Sequence, residues 1–153
     1  MGRKSGLTVV VAGMASLPES ARRAALYKRA VASAFDTARR PPSGEVNVVF
    51  LERAAMRRMN RHYLGHDYDT DVISFPHELP PGIEDPLIPL GDIFVSSWMV
   101  RRQAKELGHS ASVEAATLVV HGALHLLGHD DHAAKAKKRM FAVQDRVVAS
   151  LRC

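Results

Sequence analysis

The order of apolar segments along the chain predicts an α+β domain, a small central sheet of about four strands surrounded by about five helices. Three observations carry that prediction. Four short runs rich in β-branched and apolar residues read as strands. Longer segments with helical start and stop signals stand between and after them. The two kinds of segment do not strictly alternate, as they would in a doubly wound α/β fold. At 153 residues the chain is long enough for one buried core, and no linker or repeat interrupts it, so residues 1–153 read as a single domain.

The elements follow in order. Leu7 to Ala12 is an apolar, β-rich first strand. Ser16-Leu17-Pro18-Glu19 has the form of a capping box with proline inside the first turn, which predicts a helix from there to about Phe35. Arg39 to Gly44 holds Pro41 and Pro42 and is a loop, and Val46 to Leu51 is a β-branched second strand. Arg53 to Tyr63 reads as a helix with Met56 and Met59 in the core. Asp71 to Phe75 and Asp92 to Ser96 are two further strands. Between them, His77 to Pro89 contains Pro80, Pro81, Pro86 and Pro89, a composition that forbids regular structure and predicts a loop lining the site. Helices then run from Ser97 to Leu107, Ser110 to Leu127 and Ala133 to Ser150.

Chemistry concentrates in the second of these three helices. Val113, Ala116, Leu118, Val119, Val120, Leu124, Leu126 and Leu127 cover nearly all its sides, so it is expected to be buried. Ser110 or Ser112 caps its start and Gly128 fits its end. His121 and His125 lie one turn apart, so both imidazoles can reach one ion. After the sharp turn at Gly128, His129, Asp130, Asp131 and His132 supply a carboxylate or a third imidazole. Three protein ligands with one position left to water mark catalytic zinc, one Zn²⁺ per chain. In H-E-x-x-H metalloproteases the general base follows the first histidine. Here that position is Gly122, which disfavours peptide hydrolysis and leaves metal-assisted phosphodiester hydrolysis through a metal-bound water.

The segment His121 to His132 resembles the signature H-G-x-L-H-L-x-G-x-D-H of the YbeY family of bacterial endoribonucleases. Asn60, Tyr63, Asp67 and Thr70-Asp71-Val72-Ile73-Ser74-Phe75-Pro76 resemble a second family block, and Leu90-Gly91-Asp92-Ile93-Phe94-Val95-Ser96 a third. The resemblance implies a zinc-dependent, single-strand-specific endoribonuclease that matures ribosomal RNA, including the 16S 3′ end, and acts in ribosome quality control. It also implies a small central sheet with the metal helix packed on it. The implied partners are ribosomal RNA and the small ribosomal subunit, with a ribosome-assembly GTPase or a ribosomal protein. Counting ten residues from His121 gives Asp131 as third ligand, the favoured choice because it preserves the spacing from Gly128, while a one-residue bulge gives His132 as the alternative. Asp130 either orients a ligand imidazole or caps the turn. His129 stands where the family often has tyrosine and is not expected to be a ligand. Leu64 departs from the arginine that many family members carry after the tyrosine; Arg57, Arg58 and Arg61 are the candidates to replace its charge on RNA.

Composition agrees. The charge is +5 with a pI near 9.7, favouring polyanionic partners. Only 6% of residues are aromatic, and no RNP-type strand is present. No segment reads as a signal peptide or membrane span, so no membrane partner and a cytoplasmic location are expected. The lone cysteine, Cys153, excludes an internal disulfide framework. His62, His66 and His109 read as surface histidines, His77 and Glu78 as residues near the cleft, and Asp92 as a backbone-bonding residue at a strand start. Two rival functions are a non-catalytic ribosome-assembly factor with a structural metal and, less favoured, a zinc metallopeptidase.

Overall fold

The computed structural model describes residues 6–78 and 88–153. One mixed sheet has strands β1 (Leu7–Ala12), β2 (Gly44–Leu51), β3 (Val72–Pro76) and β4 (Pro89–Ser96), in the order β1-β2-β4-β3. β1, β2 and β4 are parallel, and β3 closes one edge antiparallel to β4. Helices α1 (Ala24–Phe35), α2 (Arg53–Leu64), α3 (Ser97–Leu107), α4 (Ala111–Leu126) and α5 (Ala134–Leu151) surround it. The α+β architecture with four strands and five helices is as expected. The centre of the expected loop, residues 79–87, lies outside the described residues.

Strand alternation sorts the sheet into two faces. Val46, Val48 and Phe50 of β2 and Ile93 and Val95 of β4 are buried on one face, against α1 and α4. The residues between them, including Asn47, Asp92 and Phe94, face the other way, where α2 meets β4. α4 is the central helix, packed on α1, α3, α5, β3 and β4, and its Leu118, Val119, Val120, Ala123 and Leu124 are buried. At ~25 cal/mol per Å², each such Leu or Val contributes roughly 1.5–3 kcal/mol by leaving water.

Two local findings bear on the expectations. Ser110 caps α4, its hydroxyl accepting from the Val113 N–H at 3.2 Å, whereas the Ser112 hydroxyl donates to the Ser20 carbonyl. The first helix does not start at Ser16. Met14–Ser16 and Glu19–Ala21 form short 3-10 turns, and α1 begins at Ala24. The Arg22 guanidinium donates to the carbonyls of Leu17 and Ala15, and the Tyr27 hydroxyl to that of Ala21. Those side chains take carbonyls that a continuous helix would use itself, while Leu17 and Ala21 are fixed in the core.

Candidate metal centre

The end of α4 builds the site. Gly128 adopts φ +96°, a left-handed conformation that favours glycine. The Gly128 N–H donates to the His125 carbonyl and the His129 N–H to that of Leu124, which is a Schellman ending. The chain therefore folds back over the last turn of α4. This places the His129 carbonyl 3.0 Å from His125 Nδ1, and the Asp131 carboxylate over the two imidazoles.

The resulting trio is compact. His121 Nε2 and His125 Nε2 are 3.1 Å apart, and Asp131 Oδ2 lies 3.5 and 3.4 Å from them. A tetrahedral ion with bonds of about 2.0–2.1 Å needs ligand atoms roughly 3.3 Å apart, so the triangle fits Zn²⁺ in size and donor type. The proton positions strengthen the fit. His121 Nδ1 donates to Gln144 Oε1 at 2.7 Å, and His125 Nδ1 donates to the His129 carbonyl. Neutral imidazoles so oriented turn bare Nε2 lone pairs toward each other and toward a carboxylate, an arrangement that calls for a cation. Partial burial works to raise the Asp131 pKa, but His125, His121 and His132, whenever they carry a second proton in place of a metal, outweigh it and hold the carboxyl below its usual range.

Neighbouring residues sort themselves by contact. The His132 side chain is 93% exposed, with Nε2 4.0 Å from Asp131 Oδ1, and stands outside the triangle. Asp130, Asp131 and His132 form a second close group, which shares Asp131 and whose other two members are exposed. Of the two roles open to Asp130, the structure has the turn cap: its Oδ1 accepts from the His132 N–H at 2.8 Å. His129 is held below the usual histidine pKa, first by burial and then by the nearby His125 and Arg139 charges. Leu127, Gly128, His129, Asp130, Ala136 and Arg139 line an open cavity of about 390 Å³ beside the trio.

Gly122 has a packing reason. A Cβ there would lie 2.6 Å from Ile93 Cγ2 and 3.0 Å from Ser74 Oγ, and the Ser74 hydroxyl donates to the Gly122 carbonyl at 2.9 Å. α4 approaches the sheet too closely for any side chain at this position, a protease-type glutamate included.

Other expectations meet mixed outcomes. Arg57 bonds the Asp67 carboxylate at 3.2 Å, whereas exposed Arg58 and Arg61 have no ion pair among the described residues. Exposed Leu64, like Tyr63, adds apolar surface at the end of α2. His62 and His66 are exposed as expected. His109 is not simply a surface residue, because its Nε2 lies 2.7 Å from Oε1 of buried Glu114. Among the described residues, the Asp92 carboxylate is held by side chains rather than by backbone. It sits between Asn47 and His77, on the sheet face opposite α4. Met59 lines a cavity there rather than the core. Sequence reasoning missed Gln144 altogether. Its signal was a polar residue on the buried stripe Met140, Gln144, Val147 and Leu151 of α5.

Fold and site together define a class: small α+β domains with an open two-histidine, one-carboxylate metal-binding arrangement at the end of a buried helix. The family model of endoribonuclease YbeY matches residues 15–152, and the chain belongs to that family. Endoribonuclease YbeY of Alkalilimnicola ehrlichii is 39% identical over 142 residues, covering 93% of this chain and 83% of its own. That of Pelotomaculum thermopropionicum is 44% identical over 110 residues, covering 70% and 72%. The solution structure of a Thermotoga maritima protein is similar in fold, with a TM-score of 0.63 at 23% identity over 94% of this chain and 89% of that one. Among the described residues no helix is long and apolar enough to cross a membrane.

Proposed function

We propose that this chain is a zinc-dependent endoribonuclease that hydrolyses phosphodiester bonds of single-stranded RNA. The observation that carries the reading is the trio of Nε2, Nε2 and Oδ2 atoms 3.1–3.5 Å apart, open to solvent on one side. His121, His125 and Asp131 would hold the ion. When bound, it supplies a Lewis acid for a phosphoryl oxygen and lowers the pKa of water. Gln144 and the His129 carbonyl fix both imidazoles in the tautomer that presents Nε2. The absence of a side chain at Gly122 leaves no general base where a metalloprotease has one, which favours phosphodiesters over peptides. Arg139, in the adjoining cavity, and Arg58 and Arg61, which have no ion pair among the described residues, are cations available to the phosphate backbone.

By family membership we extend the proposal to maturation of the 16S ribosomal RNA 3′ end and quality control of the small ribosomal subunit, in the cytoplasm. A ribosome-assembly GTPase or a ribosomal protein is the proposed protein partner. The test is incubation of a single-stranded ribosomal RNA 3′-end fragment with the purified chain and with His125→Ala prepared identically, with metal content measured for both. Cleavage and one zinc per chain in the native protein, both lost in a folded variant, is the expected result. Equal cleavage by both would assign it to a contaminating nuclease. Stoichiometric zinc without cleavage would favour an assembly factor with a structural metal.

A further inference from the structure

On the sheet face opposite α4, Met59, Tyr63, Phe75, Asp92 and Phe94 line a cavity of about 220 Å³. Its walls are aromatic. Phe75 stands edge-on to both Tyr63 and Phe94, with ring centroids 5.5 and 5.8 Å apart. Tyr63 is 63% exposed, so much of its ring is free to stack. Asp92, the one charged group of the lining among the described residues, is fixed on both oxygens: Asn47 Nδ2 donates to Asp92 Oδ1 at 3.0 Å, and His77 Nε2 lies 3.1 Å from Oδ2. Among the described residues each oxygen has one partner, which leaves each a further lone pair. A fixed carboxylate beside aromatic rings suits a flat ligand that presents two N–H donors side by side. Among RNA bases only guanine does so on its pairing edge, through its ring N1–H and exocyclic amino group.

The charge around the cavity decides between occupants. An arginine side chain from a partner protein would also satisfy a carboxylate among aromatic rings. It would have to approach α2, which holds no acid; Arg53 and Arg57 there are paired with Asp69 and Asp67, while Arg58 and Arg61 have no ion pair among the described residues. Arg58 and His62 lie one turn apart in the row beside Met59 and Tyr63, and the His62 ring meets Tyr63 at 4.6 Å. Arg58 has no ion pair among the described residues and would repel a cationic partner but attract a phosphate. The surroundings therefore favour a nucleotide.

We propose that this cavity is a base-reading subsite that takes a guanine of single-stranded RNA, packed on Tyr63, with Asp92 accepting from both N–H groups and Arg58 holding an adjacent phosphate. The proposal rests on the RNA-cleaving reading above. The cavity and the metal trio lie on opposite faces of one end of the sheet: Asp92 faces the cavity, and a Cβ on neighbouring Gly91 would meet Leu126 of the metal-site helix. A strand passing around the β3 edge would reach both, so the guanine is a recognition position removed from the bond that is cut.

The test measures binding of fluorescein-labelled pentaribonucleotides UUGUU, UUAUU, UUCUU and UUUUU by anisotropy, with the full chain in chelator so that no cleavage occurs. UUGUU is expected to bind about tenfold more tightly than the others, with Tyr63→Ala weakening it about tenfold. Asp92→Asn should erase the difference among the four. Tyr63 is exposed and Asp92→Asn is isosteric, so both variants should keep the native unfolding temperature. Equal affinities for all four, or a guanine preference that persists in both variants, would overturn the proposal. So would competition at this cavity by an arginine-rich peptide without any base preference, which would give the surface to a protein partner. Cleavage of the ribosomal RNA fragment by the zinc-loaded chain, with no base preference in this binding measurement, would sink the subsite alone. A guanine preference here, with no cleavage by the zinc-loaded chain, would sink the nuclease reading alone.

Discussion

α4 sets histidine against carboxylate at both of its ends, and the two ends use the same residue types in opposite ways. At the start, His109 Nε2 meets Glu114 Oε1 at 2.7 Å, one donor against one acceptor, with Glu114 only 3% exposed. That pair is complete. At the other end two imidazoles have already given their Nδ1 protons to Gln144 and to the His129 carbonyl. Their Nε2 atoms and Asp131 meet as acceptors 3.1–3.5 Å apart. What would let this second end hold a metal, where the first is a closed pair, is where the protons are, rather than which residue types are present.

The largest expected effect tests that distinction at its third donor. Asp131→Ala should leave two imidazoles and lose bound zinc on dialysis, while His132→Ala should keep one zinc per chain and change stability by no more than about 0.5 kcal/mol. Metal analysis of the two purified variants checks this. Zinc lost from His132→Ala but kept by Asp131→Ala would mean that the loop carries its histidine into the site when metal binds.

This choice also marks how far the sequence could be read. The pairing of His121 with His125 was legible because helix geometry alone puts residues i and i+4 together. The choice of Asp131 over His132 rests in the sequence only on the spacing from Gly128, because the geometry depends on how a Schellman turn at Gly128 aims the next three residues. The α1 start was misread because Arg22 and Tyr27 capture carbonyls through contacts that a capping-box pattern does not encode. Asp92 was misread for a similar reason: Asn47 is its cross-strand neighbour, and 45 residues separate the two. Local chemistry was readable, and long-range hydrogen bonding was not.

Gln144 sharpens the comparison next, since it accepts from His121 Nδ1, whereas His109 directs its Nε2 at a carboxylate. Gln144→Leu fills the same space on the buried stripe of α5 and removes the acceptor for His121 Nδ1. Loss of such an orienting bond typically costs 10–100-fold in metal affinity. A competitive chelator titration should show a zinc Kd weaker by about that factor, with His121 and His125 still present. An unchanged Kd would mean that packing against Phe141, 5.6 Å away, suffices to orient the ring.

The smallest effect concerns the closed pair. Burial pushes the Glu114 carboxyl above its ordinary pKa of 4.5; the His109 hydrogen bond and charge oppose that, and the Asp71 charge adds to it. The folded protein therefore keeps a proton on Glu114 over a range where the unfolded chain has released it. The stability this contributes is complete below the unfolded pKa and is lost as pH rises through the folded one. Glu114→Gln has no carboxyl to titrate and still offers His109 an acceptor. Urea midpoints measured from about pH 4 to about pH 7 should fall more steeply for the native chain than for the variant. Asp131, held below its usual range, contributes the opposite slope in both proteins and cancels from the difference. Parallel profiles would show that Glu114 sheds its proton as easily folded as unfolded, so that His109 fully offsets its burial. The two ends of α4 would then differ in their geometry but not in what burial costs a carboxylate.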